Sequence, residues 1–246
     1  MPTPFYHLHL AQELLAEDSC SPLLRNEQGP FYLGNIAPDA QNVAELSRES
    51  THFFEVPMRD ARPAWDAMFR QYPSLTNTDA LTPAQRAFLA GYICHLAVDQ
   101  MWIADIFDPV FVEEAKWENP RERFFIHNVL RIYLDELDRP ALASNGVGVS
   151  LKKANPDQWL PFLADAALSQ WRDFVAGQLV EGGAAQTIEV FAKRMRRPSS
   201  DFESLLQSPT QMSERVFRIV PNDSLAHFRD RAFARSQEII AEYLSP

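Results

Sequence analysis

His95 and Asp99 stand four residues apart in the most apolar stretch of the chain, Ala87 to Phe107. On a helix that spacing puts both on one face, roughly 6 Å apart along the axis at about 1.5 Å per residue. An ionised carboxylate buried there alone is costly, so Asp99 must be paired, protonated or bound to a metal. A His with a carboxylate at i+4 on a rigid helix is half of a divalent-metal site. A buried Asp that caps a neighbouring helix, beside a satisfied core His, accounts for the pair equally well. Other ligand-type residues lie upstream. His7 sits on a first helix among Ala11, Leu14 and Leu15, Asp39 directly follows Pro38 at a helix start, and His52 lies in the apolar helix end Ser50-Thr51-His52-Phe53-Phe54. Singly each has an ordinary role, as a satisfied or surface His or as a charge at a helix N-terminus. Together His7, Asp39, His52, His95 and Asp99 offer only nitrogen and oxygen donors. The set suits Zn, or Mn or Fe, and is large enough for two divalent ions with open positions.

The elements that must carry these residues read as helices. Thr82-Pro83, Asn119-Pro120 and Asn155-Pro156 each pair an N-cap residue with Pro at the first helical position. After Pro83 the residues Phe88, Tyr92, His95, Asp99, Trp102 and Ile106 share one face. Phe124, Val129, Ile132 and Leu137 follow Pro120. Trp159, Phe162, Leu163, Ala166, Ala167, Trp171 and Phe174 follow Pro156. Further helices are predicted at Phe5–Glu17, Pro38–Phe54, Asp60–Tyr72, Gln186–Met195 and Asp223–Leu244, with a short one near Gln211–Ile219. Strand alternation is confined to Val147-Gly148-Val149, inside a predicted loop from Ala143 to Ala154 that links two halves. Gly182-Gly183 reads as a helix stop. The predicted fold is all-α: one domain over residues 1–246, with a metal-binding helical core at 4–140 and C-terminal helices at 155–246 that complete the bundle and shape its pocket.

Composition narrows the function. With 23 Lys+Arg against 33 Asp+Glu, the formal charge of −10 argues against a nucleic-acid binder. It leaves room for a small phosphorylated substrate, because a bound metal supplies positive charge. Two Cys exclude a disulfide framework and a Cys-rich zinc module, and eight Gly leave little for phosphate loops. Gly146-Val147-Gly148 lacks the strand–turn–helix setting of a dinucleotide loop. The first residues form neither a basic n-region nor an apolar h-region. His95, Asp99 and Asp105 interrupt the one stretch that approaches a transmembrane segment, so a cytoplasmic protein is expected.

Four segments carry a resemblance. Tyr6-His7-Leu8-His9-Leu10-Ala11, Leu33-Gly34-Asn35-Ile36-Ala37-Pro38-Asp39, Ser50-Thr51-His52-Phe53 and the run Gly91 to Trp102 resemble, in matching order, the zinc-dependent phospholipase C family. That family includes the catalytic domain of glycosylphosphatidylinositol phospholipase D and is structurally related to P1-type nucleases. The resemblance implies the helical bundle of that superfamily. It also implies that His95 and the bridging Asp99 form the family's HxxxD pair, that Asp39 and His52 complete a first zinc, and that His7, rather than His9, serves a second. The third metal of many members is doubtful here. Ile103 stands where phospholipase D relatives have His, and His127 begins HxxxR rather than HxxxE, leaving Asp105, Glu113, Glu114 and His127 as remnants.

The chemistry this predicts is hydrolysis of a small phosphoester by a metal-activated water. Asp99 is shared between the ions, and Asp39 orients or deprotonates the water. Trp102, one turn past Asp99, touches substrate. Arg48 and Arg59 are candidates for a phosphate oxygen, with surface placement as the ordinary role of each. A metal-dependent hydrolase or lyase acting on a non-phosphate metabolite of secondary metabolism is the alternative. A di-iron oxygenase rests on Glu49-Ser50-Thr51-His52 as a Glu-x-x-His motif without a second copy. A non-catalytic helical protein would need other buried partners for His95 and Asp99. Cys94 reads as packing, His227 with Arg231 as a surface pair, and the basic run Lys193 to Arg197 as charge at a helix end.

Overall fold

The computed structural model describes residues 1–58, 62–112, 117 and 119–245. Helices form throughout, and no strand occurs among the described residues. In chain order they are α1 (Pro4–Ala16), α2 (Pro22–Asn26), α3 (Gln28–Gly34), α4 (Gln41–Ala44), α5 (Glu49–His52), α6 (Ala64–Gln71), α7 (Pro83–Trp102), α8 (Pro120–Ser144), α9 (Val147–Lys152), α10 (Asp165–Gly177), α11 (Thr187–Met195), α12 (Ser199–Leu206), α13 (Pro209–Gln211) and α14 (Asn222–Leu244). A 3-10 turn, Ala37–Ala40, precedes α4, and π-helical turns extend α7 through Ile103–Val112.

The axis of the fold is α7. Every residue from Ala87 to Asp99 is buried, as expected of a helix that is apolar all round. Thr82 opens it with a capping box: its hydroxyl accepts from the Gln85 N–H while the Gln85 side chain accepts from the Thr82 N–H. Helices α3, α6 and α14 pack on it, and α1 packs on α8. The α3 contact is backbone to backbone. A Cβ at Gly34 would lie 1.9 Å from the Phe88 carbonyl oxygen, and one at Gly91 would lie 2.3 Å from that of Phe31. Only glycine permits this approach. The segment Pro83–Val112 is long and apolar enough to cross a membrane, but 83% of its most apolar window is buried inside the fold, as in a core helix.

Several predicted elements differ from those observed. The expected helix Pro38–Phe54 is broken into a 3-10 turn, α4 and α5. Glu45 and Phe53 adopt left-handed backbone, φ 55° and 60°, and end α4 and α5. Asn155-Pro156 starts no helix. Gln158 is left-handed at φ 53° and Pro161 disfavours helical backbone at Leu160, so α10 begins at Asp165. Trp159 and Leu163 still reach the core from that irregular run. The predicted loop with an extended Val147-Gly148-Val149 is the helix α9, entered through Gly146 at φ 70° and packed on α3 and α10. The stop expected at Gly182-Gly183 comes earlier, after Gly177. Helices α2, α3 and α12 were not predicted, and Asp60 of the expected Asp60–Tyr72 helix lies outside the described residues.

Candidate metal centre

Four helical pieces bring the ligand-type residues to one point. His7 comes from α1, Asp39 from the 3-10 turn, His52 from the last turn of α5, and His95 and Asp99 from α7. The connecting segment is pinned by its own backbone. The Thr51 hydroxyl donates to the Pro38 carbonyl at 2.8 Å, the Tyr92 hydroxyl to the Thr51 carbonyl at 2.6 Å, and the Trp171 indole to the Ile36 carbonyl at 2.9 Å. These bonds hold His52 in place although the next residue, Phe53, sits in a backbone region that costs about 1–3 kcal/mol.

The five side chains converge. His7 Nε2 lies 3.4 Å from Asp99 Oδ1, while His52 Nε2 and His95 Nε2 lie 3.5 and 3.7 Å from Asp99 Oδ2. His52 Nε2 is 3.7 Å from Asp39 Oδ1. The His7 and His95 rings stack with centroids 4.0 Å apart. Two ligand groups result, His7–His95–Asp99 and Asp39–His52–His95, with the ligand atoms of each within 4.8 Å of one another. His95 belongs to both, and the two Asp99 oxygens are divided between His7 on one side and His52 on the other.

The donor atoms fit a divalent cation. His95 Nδ1 must donate to the Asn35 carbonyl at 2.8 Å, and His52 Nδ1 donates to the Arg48 carbonyl at 3.2 Å. Each bond leaves the ring's Nε2 as a bare acceptor. Those two Nε2 atoms face each other at 3.4 Å, a repulsive arrangement unless a proton or metal lies between them. Both ring nitrogens of His7 and Oδ1 of Asp99 are buried without a hydrogen-bond partner. Orphaned polar atoms at this depth call for a ligand. Burial, followed by the neighbouring His95, drives the His7 imidazole down to about 3, so it stays in the neutral, metal-binding form. Burial and Arg48 push His52 the same way. Asp99 is opposed by burial but surrounded by His95, His7 and Arg48, which hold it well below the usual carboxylate range. Burial raises Asp39.

Other candidates separate from this cluster. His9 turns away and bonds Asp138. Glu49 is exposed, so the Glu-x-x-His pattern builds no di-iron site. Trp102 was expected to touch substrate; it is fully buried instead, its indole donating to His127 Nε2 at 3.1 Å and its ring packed edge-on against Phe228. That bond occupies His127, and Asp105 pairs with Arg231 at 2.9 Å, so neither joins a third metal group among the described residues. Arg231 is thereby not the partner expected for His227. Glu113, Glu114 and Arg59 lie outside the described residues.

Of two arginines near the cluster, sequence reasoning named Arg48 as a phosphate candidate with surface placement as its ordinary role, and it did not name Arg131. Arg48 is largely buried, not on the surface; its Nη2 donates to Asp99 Oδ2 at 2.8 Å, its Nη1 has no partner, and its guanidinium lies 4.4 Å from the Phe54 ring centroid. Arg131 lines a cavity of about 80 Å³ that Asp39 also lines. The signal for it was the HxxxR register from His127, which makes Arg131 the residue one turn along α8. The buried α-amino group of Met1 lies within electrostatic reach of Arg131, Asp99 and Asp39.

Residues 3–102 match the family model for zinc dependent phospholipase C. No curated protein and no solved structure matches the chain. The matched segment contains all five converging side chains and ends at Trp102, so Arg131 and the opposite cavity wall lie beyond it. Residues 3–102, about two fifths of the chain, are thus similar to the zinc dependent phospholipase C family.

Proposed function

We propose that the protein is a metal-dependent phosphoester hydrolase whose ions are held by His7, Asp39, His52, His95 and Asp99. The facing Nε2 atoms of His52 and His95, beside an orphaned His7 and Asp99 Oδ1, carry this reading. Two divalent ions held there, zinc by donor set and by similarity to the matched family, would supply Lewis acidity toward phosphoryl oxygens and lower the pKa of a water. The protein's own groups divide the remaining work. The Asn35 and Arg48 carbonyls fix the tautomers of His95 and His52. Asp99 remains ionised at neutral pH and acts as a permanent anionic ligand. Asp39 is the ligand with exposed surface, 23% of its side chain, and it borders the cavity; it is the group that receives the proton of the attacking water. Arg48, with Nη1 unpartnered, steadies a phosphoryl oxygen.

The test is metal analysis of the pure protein joined to a substrate panel of bis(4-nitrophenyl) phosphate, 4-nitrophenyl acetate and a 4-nitroanilide. About two zinc per chain are expected, with phosphodiester cleavage that a chelator abolishes and zinc restores. Full activity without metal would sink the proposal. Cleavage of only the ester or amide would replace it with a hydrolase of non-phosphate substrates.

A further inference from the structure

The cavity beside Asp39 holds a cation, Arg131, that forms no direct ion pair among the described residues; Asp39 and Asp135 reach it only through longer-range attraction. Arg131 projects from α8, with Nη1 donating to Asn128 Oδ1 at 3.2 Å and its guanidinium carbon 4.5 Å from the Phe191 ring centroid. Its Nε is buried without a partner, and no carboxylate of the described residues forms an ion pair with it. The obvious counter-ion is Asp135, four residues on along the same helix. Asp135 is committed elsewhere: its two oxygens accept from the hydroxyls of Thr3 and Thr187. Burial lowers Arg131 only to about 10, so it remains a cation at neutral pH. Partly buried charge is retained where it meets a partner, and here the open side of the guanidinium is the cavity.

The rest of the lining is consistent with a small anionic group. Arg194 also lines it and donates to Asn42 Oδ1 at 2.9 Å, and Asn42 in turn donates to the Asp39 carbonyl at 2.8 Å. Among the described residues two carboxylates line the cavity: Asp39, which on the proposed function is neutralised by metal, and Asp135, whose oxygens accept from Thr3 and Thr187 and whose carboxyl burial raises to about 7. Trp171 and Phe174 form an apolar wall. At about 80 Å³ the space has room for a small anionic group such as a carboxylate or phosphate.

We propose that Arg131 is a specificity-determining residue that binds a second oxyanion of the substrate, so that the substrate is a phosphoester carrying another carboxylate or phosphate. The proposal rests on the metal reading, because the reacting phosphoryl group is taken to sit at the His–Asp cluster.

Calorimetry on the zinc-loaded full chain tests it with three probes: methyl phosphate, 2-phosphoglycolate and 1,3-propanediol bisphosphate. A charged hydrogen bond predicts that at least one doubly anionic probe binds about 10–100-fold tighter than methyl phosphate. The better of the two identifies the second group as carboxylate or phosphate. In Arg131→Gln that preference falls to near unity while methyl phosphate affinity holds, and Arg131→Lys recovers part of it. Equal affinity for all three probes in the wild type overturns the second-oxyanion site and leaves the metal reading standing. So does a preference that survives Arg131→Gln. No affinity for any probe, together with a zinc-free protein, overturns the metal reading and this proposal with it. The wild-type arm decides even if Arg131→Gln fails to fold.

Discussion

Asp99 and Asp135 are both buried carboxylates on the long core helices, and each follows a basic side chain by four residues, His95 in one case and Arg131 in the other. Their surroundings set them apart. Around Asp99 stand three imidazoles and Arg48, which hold it ionised, while Oδ1 finds no hydrogen. Around Asp135 stand two threonine hydroxyls, and burial outweighs them to raise its carboxyl to about 7. One arrangement leaves electron pairs for a cation; the other uses its electron pairs to fasten α1 and α11 to α8. Spacing along a helix does not separate the two cases. The partners from other elements do.

The largest effect should separate the two carboxylates outright. Asp99→Asn is expected to weaken zinc binding by more than about 100-fold, since it removes the atom pair lying between the two ligand groups. Asp135→Asn should leave zinc content at the wild-type level. Metal analysis after equilibrium dialysis reads both. Equal zinc loss in the two variants would end the contrast.

The histidines grade the same comparison. His95 belongs to both ligand groups and His7 to one. His95→Ala should therefore empty the centre, whereas His7→Ala should keep one zinc of the two expected. Zinc titration against a competing chelator counts the sites. One retained zinc in His95→Ala would show that the two groups do not share that residue.

Asp135 should also leave a mark on stability. An unfolded Asp titrates near 3.9, whereas folded Asp135 holds its proton to about 7. Between those values the folded chain binds more protons, so this group's contribution is full below about pH 4 and is lost as pH rises toward 7. Lowered His7 and His52 act in the opposite sense below their unfolded values, so the variant difference is the informative quantity. Asp135→Asn should lose less thermal stability than the wild type between pH 5 and pH 8, as thermal melts at both pH values would show. Parallel changes would mean that Asp135 titrates normally.

How much of this was legible follows the same division. His7, Asp39, His52, His95 and Asp99 were picked out as a set, because singly each has an ordinary role and only the four segments in matching order point to one centre. The all-α class and the starts at Thr82-Pro83 and Asn119-Pro120 were legible because capping is local, with the Thr82 and Asn119 side chains taking N–H groups at those starts. Asn155-Pro156 shows the limit, since Gln158 and Pro161 override the same signal. The break at Phe53 was invisible, because tertiary bonds through Thr51 and Tyr92 hold that backbone. Trp102 was misplaced because periodicity gives a face, not the depth at which it lies. Arg48 and Arg131 were undervalued for a related reason: an arginine reads as surface until the structure shows its nitrogens buried.

The smallest effect probes the hydroxyls that distinguish Asp135. Thr187→Val keeps the shape and removes the hydroxyl that donates to Oδ2 at 2.6 Å. Losing a donor to a buried carboxylate costs about 1–3 kcal/mol when the group is charged and less when it is neutral. For a chain of this length that corresponds to a fall in Tm of roughly 2–4 °C per kcal/mol. The loss should therefore be larger at pH 8, where Asp135 is ionised, than at pH 5, where it carries its own proton. Zinc content should not move, because Thr187 touches no member of the metal cluster. An equal loss at both pH values would assign Thr187 to packing alone. Asp135 would then owe its difference from Asp99 to burial rather than to its hydroxyl partners.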